Sequence, residues 1–169
     1  MADLYYYGAH GLPRDQPRAL RYFEQAAAAG DPTGQCGAAG MYLKGEGAPA
    51  NVSRAIELYE NASTTGSIRA LNGLGYMYFF GQSVEKNQTK ALEYFLAAAV
   101  NETDADSLFN AAHCLENGLG AAKDLPRAVK LYTVAANKLG NFNSIHVLAN
   151  MYLEVKTLLF TLFWCLFYL

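Results

Sequence analysis

The phrase "DQPRALRYFEQAAAAG" at residues 15–30 returns as "NVSRAIELYENASTTG" at 51–66, "NQTKALEYFLAAAVNE" at 87–102 and "DLPRAVKLYTVAANKL" at 124–139. Their starts are 36, 36 and 37 residues apart (51 − 15, 87 − 51, 124 − 87). A period of this size excludes most compact folds, because each unit is one short supersecondary element that must bury its apolar face against its neighbours. The expected class is therefore an all-α solenoid of stacked helix-turn-helix units, coiled as a right-handed superhelix.

Aligning the units on the apolar residue before the loop gives Tyr5, Tyr42, Tyr78, Leu115 and Tyr152. Three residues later stands Gly8, Gly45, Gly81 or Gly118, which predicts a left-handed cap ending a first helix, helix A. Small residues recur three before the register position, at Ala39, Gly75, Ala112 and Ala149, and eight before it, at Gly34, Ala70, Ser107 and Ser144. These offsets share one helical face and allow a neighbouring helix to approach.

A second helix, helix B, follows the loop. Asp15, Asn51, Asn87 and Asp124 are its predicted N-caps, with Pro17 and Pro126 in the first turn, where a missing N–H does no harm. Ala19, Ala55, Ala91 and Ala128, each followed four residues later by an aromatic, form the face expected to pack on helix A.

The order Leu-Gly, Tyr, Ala, Phe is shared with tetratricopeptide units, but the glycine loops "GEGAPAN" and "GLGAAKD" lengthen the step between helices. Together with "ALNGLGYMYFFG" (70–81) and "KALEYFLAAA" (90–99), they make the chain resemble the Sel-1-like repeat family over residues 1 to about 154. The expected division is a solenoid over 1–154, with repeats at about 1–30, 31–67, 68–104 and 105–141 and a partial one at 142–154, followed by an apolar tail at 155–169. Within the family, "GDPTGQCGAAGMYLKGEG" (30–47), "LFNAAHCLENGLG" (108–120) and "LPRAVKLYTVAANKLGN" (125–141) resemble the lumenal adaptors of the ubiquitin ligases that serve endoplasmic-reticulum-associated degradation. That resemblance implies a non-catalytic scaffold with a membrane ubiquitin ligase, a lumenal lectin and misfolded glycoprotein clients as partners. The alternative is a Sel-1-like regulatory scaffold in another compartment that positions a partner enzyme.

Four Asn-X-Ser/Thr sequons, at Asn51, Asn61, Asn87 and Asn101, exceed the roughly one that 11 asparagines and 14 Ser plus Thr in 169 residues would produce by chance. The excess favours the endoplasmic-reticulum lumen or a membrane-associated setting. Asn51 and Asn87 hold one place in successive units, where N-capping alone also explains an asparagine; Asn61 falls inside a helix B.

The helix A surface left over from packing, at offsets −9, −6, −5 and −2, holds Arg69, Asn72 and Tyr76, then Asp106, Phe109 and His113, then Asn143, His146 and Asn150. Such rows form the protein-binding surface of stacked repeats, or else contacts between neighbouring helices A.

No metal, cofactor or nucleic-acid partner is expected. His113 and Cys114 are adjacent on a helix and point about 100° apart, with no second pair to complete a tetrahedral set. Glu102, Asp104 and Asp106 are expected to complement a helix dipole. Gly73-x-Gly75 lacks the third glycine and the strand of a dinucleotide site, and no catalytic triad or dyad assembles. A net charge of −2 without a basic run argues against a phosphate backbone as partner. Cys36, Cys114 and Cys165 are read as buried small hydrophobes, and His10 as a solvated loop residue.

"MADLYYYG" lacks a charged start and an apolar core, so no signal peptide is read there. At the other end Val155 replaces the loop glycine and the repeat pattern breaks. "TLLFTLFWCLFYL" (157–169) follows with 13 uncharged residues, a helix of roughly 20 Å against a hydrocarbon core of about 30 Å. The tail admits three readings: a membrane-associated or tail-anchor segment, a cap on the solenoid end, or a non-native end of a longer adaptor.

Overall fold

The structure is a computed structural model that describes residues 1–8, 13–81 and 84–168, with side chains to residue 157. All regular structure among the described residues is helical: α1 (Ala2–Tyr7), α2 (Gln16–Ala28), α3 (Pro32–Lys44), α4 (Val52–Ser63), α5 (Ile68–Phe80), α6 (Gln88–Ala99), α7 (Ala105–Asn117), α8 (Leu125–Leu139) and α9 (Phe142–Tyr168). Odd-numbered helices are the helices A and even-numbered ones the helices B. The fold is an α-solenoid of helix pairs, and the chain divides into two units, Met1–Ala98 and Ala99–Leu169.

The same local chemistry builds every pair. Gly8, Gly45, Gly81 and Gly118 end α1, α3, α5 and α7 with φ near +70°, a conformation that only glycine adopts without strain. Asp15, Asn51 and Asp124 then cap α2, α4 and α8, each side-chain oxygen accepting from the amide three residues on at 3.0 Å, and Asn87 does the same for Lys90 at the start of α6. The cap residue's own amide donates back to the register residue: Asp15 N to Tyr5 O, Asn51 N to Tyr42 O, Asn87 N to Tyr78 O and Asp124 N to Leu115 O, at 2.8 to 3.0 Å. An Asp or Asn at one place thus starts helix B and ties its start to the end of helix A.

The aromatic four residues after each helix B alanine is the main wedge. Phe23, Tyr59, Phe95 and Tyr132 are all buried, as are Ala19, Ala55, Ala91 and Ala128. Each such ring stabilises by about 1.5 to 3 kcal/mol through removal of apolar area from water. In the first unit the ring meets glycines of helix A: a Cβ on Gly75 would lie 2.5 Å from Phe95, and one on Gly73 2.9 Å from Tyr59. Gly73 and Gly75 are therefore packing glycines. In the second unit Ala99, Leu108 and Ala135 form one buried cluster, with Leu131 and Val134 against it, and Ala111, Ala112, Leu115 and Tyr132 are buried as well. Cys36 and Cys114 are free and buried, while His10 and the Cys165 side chain lie outside the described residues.

Three expectations need correction. First, the fifth helix A does not stop where the repeat pattern breaks. α9 runs on to Tyr168, because Val155 cannot take the left-handed cap conformation as glycine does and the residues around it, leucines, Glu154 and Lys156, favour helix. Second, Tyr152 does not bury its register face as Tyr42, Tyr78 and Leu115 do. It is 72% exposed, Ala149 and Phe142 are exposed too, and of the inward small positions only Ser144 is fully buried. Each of the others packs on the helix B that follows it, whereas the chain past Tyr152 continues as the same helix. Third, Glu102 lies outside α7, two residues before its cap Asp104. It takes a positive φ of 52° in the loop after α6 and pairs with Lys138 on α8, which holds its carboxyl below the usual carboxylate range. Asp104 alone caps α7, accepting from Ser107 N at 2.8 Å, with Asp106 in the first turn.

Among the described residues no helix is long and apolar enough to cross a membrane. The side chains of most of the apolar tail lie outside that description.

Candidate functional site

In the first unit α5 carries Arg69, Asn72 and Tyr76. Arg69 is exposed and Asn72 half-buried, and Tyr76 is 41% exposed. The Tyr76 ring stacks on Phe80 at 6.2 Å and meets the edge of Phe95, the wedge ring of α6, at 5.4 Å. Arg69 lines a cavity of about 150 Å³ between α1 and α3, shared with Asp3, Tyr6, Tyr7, Gly40 and Lys44.

The sequence pattern contained part of that cavity unread. Asp3 and Gly40 stand two residues before their register tyrosines, and Arg69 stands nine before Tyr78. These are the offsets of the leftover helix A surface, applied to the first two repeats as well as the third. What no offset announces is Lys44 and Tyr6, which enter from beyond the register position. The Tyr6 hydroxyl donates to Glu46 Oε2 at 2.8 Å, and the Lys44 ammonium lies 3.5 Å from the Tyr6 oxygen.

In the second unit α7 carries Asp106, Phe109 and His113, and α9 carries Asn143, His146 and Asn150. Asp106 is exposed. Phe109 departs from the expected solvent-facing surface: it is half-buried, 5.6 Å from the Tyr132 ring of α8, and stacks on His113 at 6.3 Å with planes 8° apart. Offset −6 borders the face that helix B covers, so a large ring there folds inward. The amide of Asn117 lies 3.2 Å from His113 Nδ1 and donates to the His113 carbonyl at 2.9 Å. On α9, exposed His146 and Asn150 pair one turn apart, Nδ2 to Nε2 at 3.1 Å. The structure thus joins Phe109 with His113 and His146 with Asn150.

Buried hydroxyls and thiols behind these faces are held in their neutral forms. Burial, then the hydrogen bond from its hydroxyl to Glu116 Oε2 at 2.8 Å, pushes the Tyr132 pKa up. Burial raises Cys36, and takes Cys114 to about 11. Cys114 is therefore an inert core thiol beside the partly exposed His113, and among the described residues no group of three His, Cys, Asp or Glu side chains is placed to hold a metal ion.

All four sequon asparagines are exposed. Asn51 and Asn87 cap through Oδ1, which leaves Nδ2, the atom a glycan would occupy, outside the cap bond. Asn101 lies in the loop after α6, and Asn61 sits within α4, where Ser63 and Thr64 hydroxyls donate to the carbonyls of Glu60 and Asn61.

The family model described as Sel1 repeat matches residues 1–31, 32–67, 68–99 and 105–138. No curated protein matches the chain. Among solved structures, a protective antigen of uropathogenic Escherichia coli with an SLR fold is 26% identical with a TM-score of 0.78, over 85% of this chain and 30% of that one. A Sel1 repeat protein from Oxalobacter formigenes is 25% identical with a TM-score of 0.79, over 89% and 59%. Cysteine rich protein B of Helicobacter pylori is 22% identical with a TM-score of 0.62, over 79% and 95%, a likeness of fold alone. The chain spans less than two thirds of the first two relatives.

Proposed function

The chain belongs to the Sel1 repeat family, and we propose that it is a non-catalytic scaffold for protein–protein interaction. Sel1 repeats generally mediate such contacts. The observation that carries the reading is the surface left over on helix A. In the first unit, residues at the recurring offsets, Arg69, Gly40 and Asp3, line one cavity, and in the second, Asp106, His146 and Asn150 at those offsets stay exposed. The test replaces Tyr76, Phe109 and His113 by alanine together. With helicity and cooperative unfolding retained, partner cross-linking through these faces should fall at least several-fold; unchanged cross-linking overturns the assignment.

A finer reading makes the chain an adaptor in endoplasmic-reticulum-associated degradation, with a membrane ubiquitin ligase, a lumenal lectin and misfolded glycoproteins as partners. It is supported by the exposure of Asn51, Asn61, Asn87 and Asn101 and by the three stretches quoted above. The bacterial source of the solved relatives favours the alternative, a regulatory scaffold in another compartment that positions a partner enzyme. Glycosidase treatment of the full-length protein expressed from its native start separates the two: a mobility shift supports the lumenal adaptor, and its absence sinks it.

A further inference from the structure

We propose that the notch between α1 and α3 receives a single acidic side chain of an extended partner segment, held as a monoanion by Lys44 and Arg69. The proposal rests on the reading of the helix A surface as a binding face and assigns a chemistry to one part of it. The cavity is about 150 Å³, near the size of an engineered cavity that holds benzene, so it admits one side chain rather than a folded element.

Its charge selects the occupant. The ion pairs among the described residues engage Arg14, Arg18, Arg54 and Lys138. Lys44 and Arg69 line the notch and join none of them. Asp3 is the acid in the lining, and Glu46, behind Tyr6, is paired with Arg14, which leaves one net positive charge. A carboxylate balances that charge; a phosphate dianion would overshoot it and meet Asp3. The Lys44 ammonium lies 3.5 Å from the hydroxyl of Tyr6, which itself donates to Glu46.

Gly40 is a second, independent sign. Gly37 is a packing requirement, since a Cβ there would lie 2.4 Å from Phe23, but a Cβ on Gly40 would meet only the Tyr59 hydroxyl within 4 Å, at 3.8 Å. A helix-interior glycine lowers stability by about 1 kcal/mol relative to alanine, and packing does not demand it at residue 40. What it does is leave the notch open.

The test is a ¹H–¹⁵N NMR titration of the whole chain with the capped peptide acetyl-Gly-Leu-Glu-Gly-amide and its Gln and phosphoserine counterparts. The Glu peptide should shift the amides of Gly40 and Lys44 and the Arg69 side chain, saturably. The Gln peptide should not. Lys44→Ala and Arg69→Ala should each weaken binding about tenfold, and Gly40→Leu should abolish it while unfolding no earlier than wild type. Equal shifts from Glu and Gln peptides, tighter binding of the phosphoserine peptide, or indifference to the three substitutions would overturn the proposal. A silent notch in a protein whose partner still cross-links through Phe109 and His113 would remove this assignment and leave the scaffold reading standing.

Discussion

The Phe95 ring of α6 lies so close to Gly75 of α5 that a Cβ on the glycine would stand 2.5 Å from Phe95 Cε1. Phe95 is 2% exposed and meets Tyr76 and Phe79 as well, so it has no room to retreat. Gly75→Ala should therefore destabilise by about 1 to 3 kcal/mol through overpacking, although alanine favours helix. Gly40→Ala, with only a 3.8 Å neighbour, should instead gain up to about 1 kcal/mol. Urea unfolding of the two variants beside wild type checks both the sizes and the opposite signs.

Asn51 separates two roles that share one side chain. Asn51→Ala should lose about 1 kcal/mol of stability with the cap bond to Arg54 N. Asn51→Asp keeps the cap, since aspartate serves equally well there, yet destroys the sequon. In lumenal expression it should lose one glycan increment on a gel with its thermal midpoint unchanged, and a lowered midpoint would show that the amide does more than cap.

The buried thiols set an alkaline limit on stability. Cys114 has its pKa raised by burial from 9.0 to about 11, and Cys36 is raised for the same first cause. Between those values the unfolded chain releases the Cys114 proton while the native state keeps it, so stability is full below pH 9 and falls as pH rises, by on the order of 2 kcal/mol for Cys114. Tyr59 and Tyr132, also raised by burial, extend the fall above pH 10. Urea midpoints from pH 8 to 11 should trace this decline, and the Cys36→Ala, Cys114→Ala double variant should flatten the part below pH 10.

Tyr132 joins packing to a polar contact. Its ring is fully buried and its hydroxyl donates to the half-buried Glu116 at 2.8 Å. Tyr132→Phe keeps the ring and removes the donor, so it should destabilise by about 1.5 to 3 kcal/mol. Glu116→Gln, which keeps an acceptor, should lower stability less, and chemical denaturation at pH 7 compares them.

The sequence by itself determined the repeat, its two helices and their ends. Gly45 and Asn51 act on backbone within a few residues of themselves, through a left-handed φ and a side-chain cap, and repetition every 36 or 37 residues makes such local signals legible. It also showed that Ala91 and Phe95 share a face, since helical periodicity alone places them. Tertiary structure decided the rest, because those outcomes depend on atoms distant in the chain. Phe109 turns inward because Tyr132 is there to meet it, and Glu102 leaves the helix start because Lys138 lies within reach. Gly75 is a packing glycine because of where the Phe95 ring falls, and Asp3, Lys44 and Arg69 become one cavity only when α1, α3 and α5 are stacked. Periodicity names the residues on a face; the distance between faces, set by side-chain volume, decides which of them touch.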